Sequence, residues 1–70
     1  MGFRITSQFI KLDSFLKGIN LVGSGGEAKL IIADGLVTVN GEVEVRRGRK
    51  LYPGDRVVLD GQEFIVESEA

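Results

Sequence analysis

The stretch LVTVNGEVEVRRGRKLYPGD, residues 36–55, carries two signals in succession. In its first half Val37, Val39, Val43 and Val45 alternate with polar residues around Asn40-Gly41, a pair that accepts the two positive φ angles of a two-residue hairpin turn. In its second half Arg46, Arg47, Arg49 and Lys50 fall within five positions of a chain that has nine basic residues in all. The pattern predicts paired strands at 36–40 and 43–46, with a cationic run at the end of a rigid ribbon. Arg47 and Arg49 are expected on its exposed surface.

Upstream of this stretch the period is that of a helix. Leu12, Phe15, Leu16 and Ile19 stand at i, i+3, i+4 and i+7, one apolar face flanked by Lys11 and Lys17. After a short loop at 20–23, Ser24 with Glu27 three positions on makes a capping box, so a second helix starts there. It runs through Ala28, Ile31 and Ile32 on one face and stops at Asp34-Gly35, where glycine takes the left-handed turn without cost. Downstream, strands are expected at 56–59 and 64–67, with turns at Pro53-Gly54-Asp55 and Asp60-Gly61. Phe3 and Ile5 alternate with Arg4 and Thr6 as a first strand would. The expectation is one domain over residues 1–70, α+β in class: two N-terminal helices packed on a small, mainly antiparallel sheet with a β-hairpin.

Seventy residues bury about 60% of the surface of the unfolded chain, which leaves little core around an enclosed active-site cavity. This favours a binding module over an enzyme. The apolar fraction of 43% and charged fraction of 27% are those of a folded domain. With no cysteine and no histidine, disulfides, the usual zinc sites, Cys-His pairs and Ser-His-Asp triads are excluded. No apolar run has the length of a membrane span or the form of a signal peptide, so a cytoplasmic protein is expected. Met1-Gly2 followed by Thr6 matches a minimal myristoylation pattern, one short enough to recur by chance, and the strand reading of the same residues is preferred. The net charge of −1 hides an uneven distribution. Asp60, Glu63, Glu67 and Glu69 load the C-terminal segment with negative charge, opposite in sign to the run at 46–50.

Two motifs compete for a phosphate. GSGGEAK, residues 23–29, can be aligned to a dinucleotide fingerprint, but it follows a helix where that motif needs a strand and a parallel βαβ unit. Lys29 is followed by Leu30, so no P-loop is present. A tight turn and helix cap explain the glycines, and free amides at such a start can bind one phosphate. The run at 46–50 contains no acid, and arginine outnumbers lysine in it three to one. The planar guanidinium suits phosphate oxygens and stacks on unpaired bases. Nucleic acid, an acidic protein partner and simple solubility remain open as its purpose.

Lys11-Leu12-Asp13, Phe15-Leu16, Ser24, Ala28-Lys29, Ile32, Gly35, Val37, Val39-Asn40-Gly41, Val43 and Gly54-Asp55, in that order and spacing, resemble the RNA-binding domain named from ribosomal small-subunit protein S-four, also called the alpha-L motif. The resemblance runs from about residue 10 to residue 59. GGEAK and RRGRKLYPGD look most like the small stand-alone bacterial YaaA/YbcJ-like members. It implies RNA binding on a surface built from the helix pair and the adjoining hairpin. Lys11 and Lys29 stand where the family commonly has arginine at the start of helix 1 and in helix 2. Gly25 departs from it, since larger members often place arginine after the serine, and this shifts the expected burden to Arg46, Arg47, Arg49 and Lys50.

The reading that results is a non-enzymatic RNA-binding module acting on structured RNA such as ribosomal RNA, with the ribosome as a candidate partner, as a monomer without cofactor, metal or membrane. Lys11, Lys29, Arg46, Arg47, Arg49 and Lys50 are the expected phosphate contacts. Among Phe3, Phe9, Phe15, Tyr52 and Phe64, only Tyr52, beside the basic run, is a candidate for stacking; the others are assigned mostly to the core. The alternative is a protein-interaction adaptor whose ribbon docks an acidic partner. VTVNGEVEV and LYPGDRVVL also resemble β-grasp carriers, but those place their opening hairpin before the helix and are activated through a C-terminal Gly-Gly, where this sequence has Glu67-Ser68-Glu69-Ala70.

Overall fold

Two asparagine- or aspartate-glycine pairs set the sheet. Asn40-Gly41 (φ 53° and 86°) and Asp60-Gly61 (φ 54° and 75°) both take the left-handed values of a two-residue hairpin turn. A computed structural model describes residues 2–68, with side chains from residue 4 on; Met1, Glu69 and Ala70, and so part of the Met1-Gly2 pattern and one of the C-terminal acids, lie outside the described residues. Among these residues the order is β1 (Gly2–Ile5), β2 (Ile10–Lys11), α1 (Leu12–Gly18), α2 (Gly25–Ala33), β3 (Val37–Val39), β4 (Glu42–Val43), β5 (Lys50–Leu51), β6 (Arg56–Leu59) and β7 (Gln62–Ser68). Five strands form one sheet in the order β1-β7-β6-β3-β4, antiparallel except for the parallel pair β1-β7, and β2 with β5 forms a separate antiparallel ribbon. The expected α+β architecture, two helices on a mainly antiparallel sheet, is what forms.

Each helix ends as its sequence dictates. After α1, Asn20 turns left-handed (φ 61°), its amide donates to the Lys17 carbonyl, and Leu21 donates to Leu16. Gly35 (φ 77°) repeats this after α2, with Gly35 donating to Ile32 and Leu36 to Ile31. Both are Schellman closures, which satisfy carbonyls left open at a helix end. At the start of α2 the Ser24 hydroxyl accepts from the Glu27 amide at 3.2 Å. The Glu27 carboxylate reaches back one residue further than a standard capping box, to the Gly23 amide at 3.1 Å.

The core lies between the helices and one sheet face. Leu12, Phe15 and Leu16 of α1 and Ala28 and Ile32 of α2 meet Val37, Val39, Leu51, Val57, Phe64 and Val66, all buried. Ile31 and Ile19 are only partly buried against this cluster. Burying a side chain of the Leu, Ile, Val or Phe type stabilises by about 1.5–3 kcal/mol, so this cluster is the main source of stability in a fold without cross-links.

The second half of the hairpin differs from expectation. Regular pairing stops at Val43, residues 44–49 form a loop, and Val43 and Val45 point outward, 61% and 57% exposed, while Glu44 is buried. The register explains this. Val39 faces Glu42 and Thr38 faces Val43, so the next pair, Val37 with Glu44, shares the inward face, and the Glu44 amide donates to the Val37 carbonyl at 3.0 Å. The valines keep the same parity on both sides of a two-residue turn, and such a turn shifts the inward parity by one.

Candidate nucleic-acid interface

Glu44 arrives in the interior as a carboxylate and is met there by the arginines that follow it. Arg46 donates through Nε to Oε2 at 3.1 Å and through Nη2 to Oε1 at 3.2 Å, and its backbone amide donates to Oε2 at 3.0 Å. Arg49 donates through Nη1 to Oε1 at 2.9 Å. These charge-assisted bonds, those of Arg46 foremost and then that of Arg49, overcome the effect of burial and hold the Glu44 carboxyl at a pKa of about 2. The Arg46 guanidinium is in turn held above its ordinary value by the same carboxylate. The two arginines are not equivalent. The Arg46 side chain remains 75% exposed, whereas that of Arg49 is only 30% exposed, which corrects the expectation of an open position for Arg49.

The folded loop then closes onto the start of α1. The Leu12 amide donates to the Arg49 carbonyl at 2.9 Å and the Asp13 amide to the Arg47 carbonyl at 3.1 Å. Lys11, the residue before the helix, offers no side-chain cap, so the loop's own carbonyls satisfy two of the orphan amides. Turning those carbonyls toward the helix fixes the basic loop beside it. One residue further on, Lys50 pairs with Lys11 across the β2-β5 ribbon. The run is therefore not carried at the tip of a free ribbon.

Five of the six predicted contact residues, Lys11, Arg46, Arg47, Arg49 and Lys50, are thus gathered where the loop meets α1. The Arg47 side chain is exposed and has no hydrogen bond or ion pair among the described residues, and Arg46, Gly48, Arg49 and Lys50 line a shallow groove. Lys29 is exposed on α2, joined to the loop by no hydrogen bond or ion pair among the described residues. Sequence reasoning missed Glu44, which the turn register would have revealed, and Phe9, whose ring lies 4.9 Å from the Lys50 Nζ and 6.1 Å from the Tyr52 ring.

The S4 domain family matches residues 3–67, a span that takes in both helices and the whole basic loop. The chain belongs to the S4 domain family. As an S4 domain it is 46% identical over 57 residues to the "Probable ribosome maturation protein RlbA" of Bacillus subtilis (strain 168), a match covering 81% of this chain and 80% of that protein. Its fold is similar to the crystal structure of the 30S ribosomal protein S4e from Thermoplasma acidophilum, with a TM-score of 0.62 at 24% identity. That likeness covers 83% of this S4 domain but 31% of the ribosomal protein, so the chain spans about a third of that neighbour's length. Among the described residues no group of acids is placed to hold a metal ion, and no helix is long and apolar enough to cross a membrane.

Proposed function

We propose that this S4 domain is a non-enzymatic module, working as a monomer in the cytoplasm, that binds structured RNA through phosphate contacts from Lys11, Lys29, Arg46, Arg47, Arg49 and Lys50. The observation that carries this reading is the docking of the basic loop on α1, which holds Arg46 and Arg49 on one buried carboxylate and brings Arg47, Lys50 and Lys11 to the same junction. Such a cluster is pre-organised, so little side-chain and loop entropy is lost when an RNA backbone arrives. The kinship with a protein named for ribosome maturation makes ribosomal RNA the first target to try.

Phosphate binding releases counterions, so log affinity should fall against log salt by about 0.7–0.9 per phosphate neutralised. A total slope of about −2 to −5 is expected, since the six cations need not engage together. The triple variant Lys11→Gln, Arg47→Gln, Lys50→Gln spares the Glu44 cluster and should flatten that slope and weaken unrelated RNA sequences by similar factors. Parental affinity and slope in this variant would remove the basic loop from the RNA site. A second reading, an adaptor docking an acidic protein, draws support from the exposed Val45 and Val43 next to the loop. Recovery of partners with and without ribonuclease separates the two, because a protein partner survives the nuclease.

A further inference from the structure

We propose that Tyr52, backed by Phe9 and Lys50, is a stacking site for an unpaired base of RNA. The inference rests on the RNA-binding reading above and names the part of an RNA that the site takes. Its basis is the β2-β5 ribbon, where Ile10 faces Leu51 and Lys11 faces Lys50. Side chains alternate along a strand, so Leu51, fully buried, and Ile10, half-buried, turn toward the core. Their neighbours Phe9, Lys11, Lys50 and Tyr52 then share the outer face. Two rings and two cations alternate there, whereas the remainder of the basic loop has charge alone.

The three groups hold one another in place. The Phe9 and Tyr52 rings are 6.1 Å apart between centroids and tilted by 50°, so they touch obliquely and leave no parallel slot for a base between them. The Lys50 ammonium stands over the Phe9 ring at 4.9 Å from its centroid. Phe9 is thereby half-buried, with Lys50 and Tyr52 against it, and Tyr52, 49% exposed, is the more open ring. Its backbone is fixed by a turn. The Tyr52 amide donates to the Asp55 carboxylate at 2.8 Å, the Asp55 amide donates to the Tyr52 carbonyl at 2.9 Å, and the Gly54 amide donates to Val66 at 2.8 Å. Just before β2, the Ser7 hydroxyl donates to the Phe9 carbonyl at 2.6 Å. A half-exposed ring on a fixed backbone, flanked by Lys11 and Lys50 for the adjoining phosphates, has the composition of a single-strand stacking platform. Bases inside a duplex are already stacked and stay out of its reach, so the site selects loops and bulges.

The test uses a hairpin RNA with 2-aminopurine in its loop and a fully paired duplex of the same length. The parent should bind the hairpin more tightly than the duplex and quench the 2-aminopurine. Tyr52→Leu should weaken the hairpin by about five- to a hundredfold, abolish the quench and leave the duplex and the salt slope as in the parent, because no phosphate contact is lost. Tyr52→Trp, which keeps a ring, should restore binding and quench, a rescue that a purely structural role for the side chain would not show. If Tyr52→Leu binds and quenches as the parent does, or loses hairpin and duplex equally, the stacking site is wrong. In that event the Lys11, Arg47, Lys50 variant still decides the RNA reading on its own. If the parent binds neither RNA, the RNA reading fails and the stacking site with it.

Discussion

At the scale of single residues, Glu44 governs how the loop's charge is displayed. Its folded pKa of about 2 lies below the ordinary 4.5, so its stabilising effect is fully present above about pH 4.5 and is lost as pH falls toward 2. In urea titrations across that range Glu44→Gln should lack most of the parent's acid sensitivity in this window. At neutral pH the same substitution should cost about 1.5–3 kcal/mol, the worth of hydrogen bonds to charged groups. Arg46 stays largely hydrated when its partner goes, so the cost falls mainly on Arg49, whose less exposed guanidinium loses its counter-charge. Arg49→Ala should likewise lose about 1–3 kcal/mol by leaving Glu44 short of a donor, while Arg47→Ala, exposed and without a partner among the described residues, should stay within about 0.5 kcal/mol. Composition alone makes these two arginines look alike. Only the position of Glu44 distinguishes them, and that position follows from counting residues across the turn.

Among elements, those defined by contiguous chemistry were legible and those defined by distant partners were not. Helix α2 was readable from Ser24 and Glu27 at one end and Gly35 at the other, because caps and left-handed stops act within a few residues. The two tight turns were readable for the same reason. The short strands β2 and β5 were not, since a pair of residues in each has no periodicity to detect, and they exist because the loop docks on α1. The inward face of β4 cannot be taken from the valine alternation, because the two-residue turn at Asn40-Gly41 shifts the parity by one. Glycine's role also differs by element. Gly41→Ala should cost about 1–2 kcal/mol in thermal or urea unfolding although open space surrounds it, because its φ of +86° strains any side chain. Gly48→Ala, in equally open space and outside the left-handed range, should stay within about 0.5 kcal/mol.

For the whole molecule, stability and the candidate RNA surface are carried by different atoms. Ile32 is fully buried between α2 and the sheet, so Ile32→Ala should cost about 2–5 kcal/mol, and Ile31→Ala, only partly buried, clearly less. Comparable losses at the two positions would mean that the helix meets the sheet along another face. The helical period places both isoleucines on one face, but it does not say which is central, since that depends on how α2 packs against α1 and the rest of the core. Nor could alternation near the N-terminus say that β1 would pair in parallel with β7, from the far end of the chain. That pairing has a mechanical consequence. Gly2 lies beside Ile65 and Ile5 beside Ser68, so a pull that draws Gly2 and Ser68 apart slides the strands lengthwise past each other. The hydrogen bonds between them are then loaded in shear, all together, whereas a hairpin pulled from its open end unzips one bond at a time.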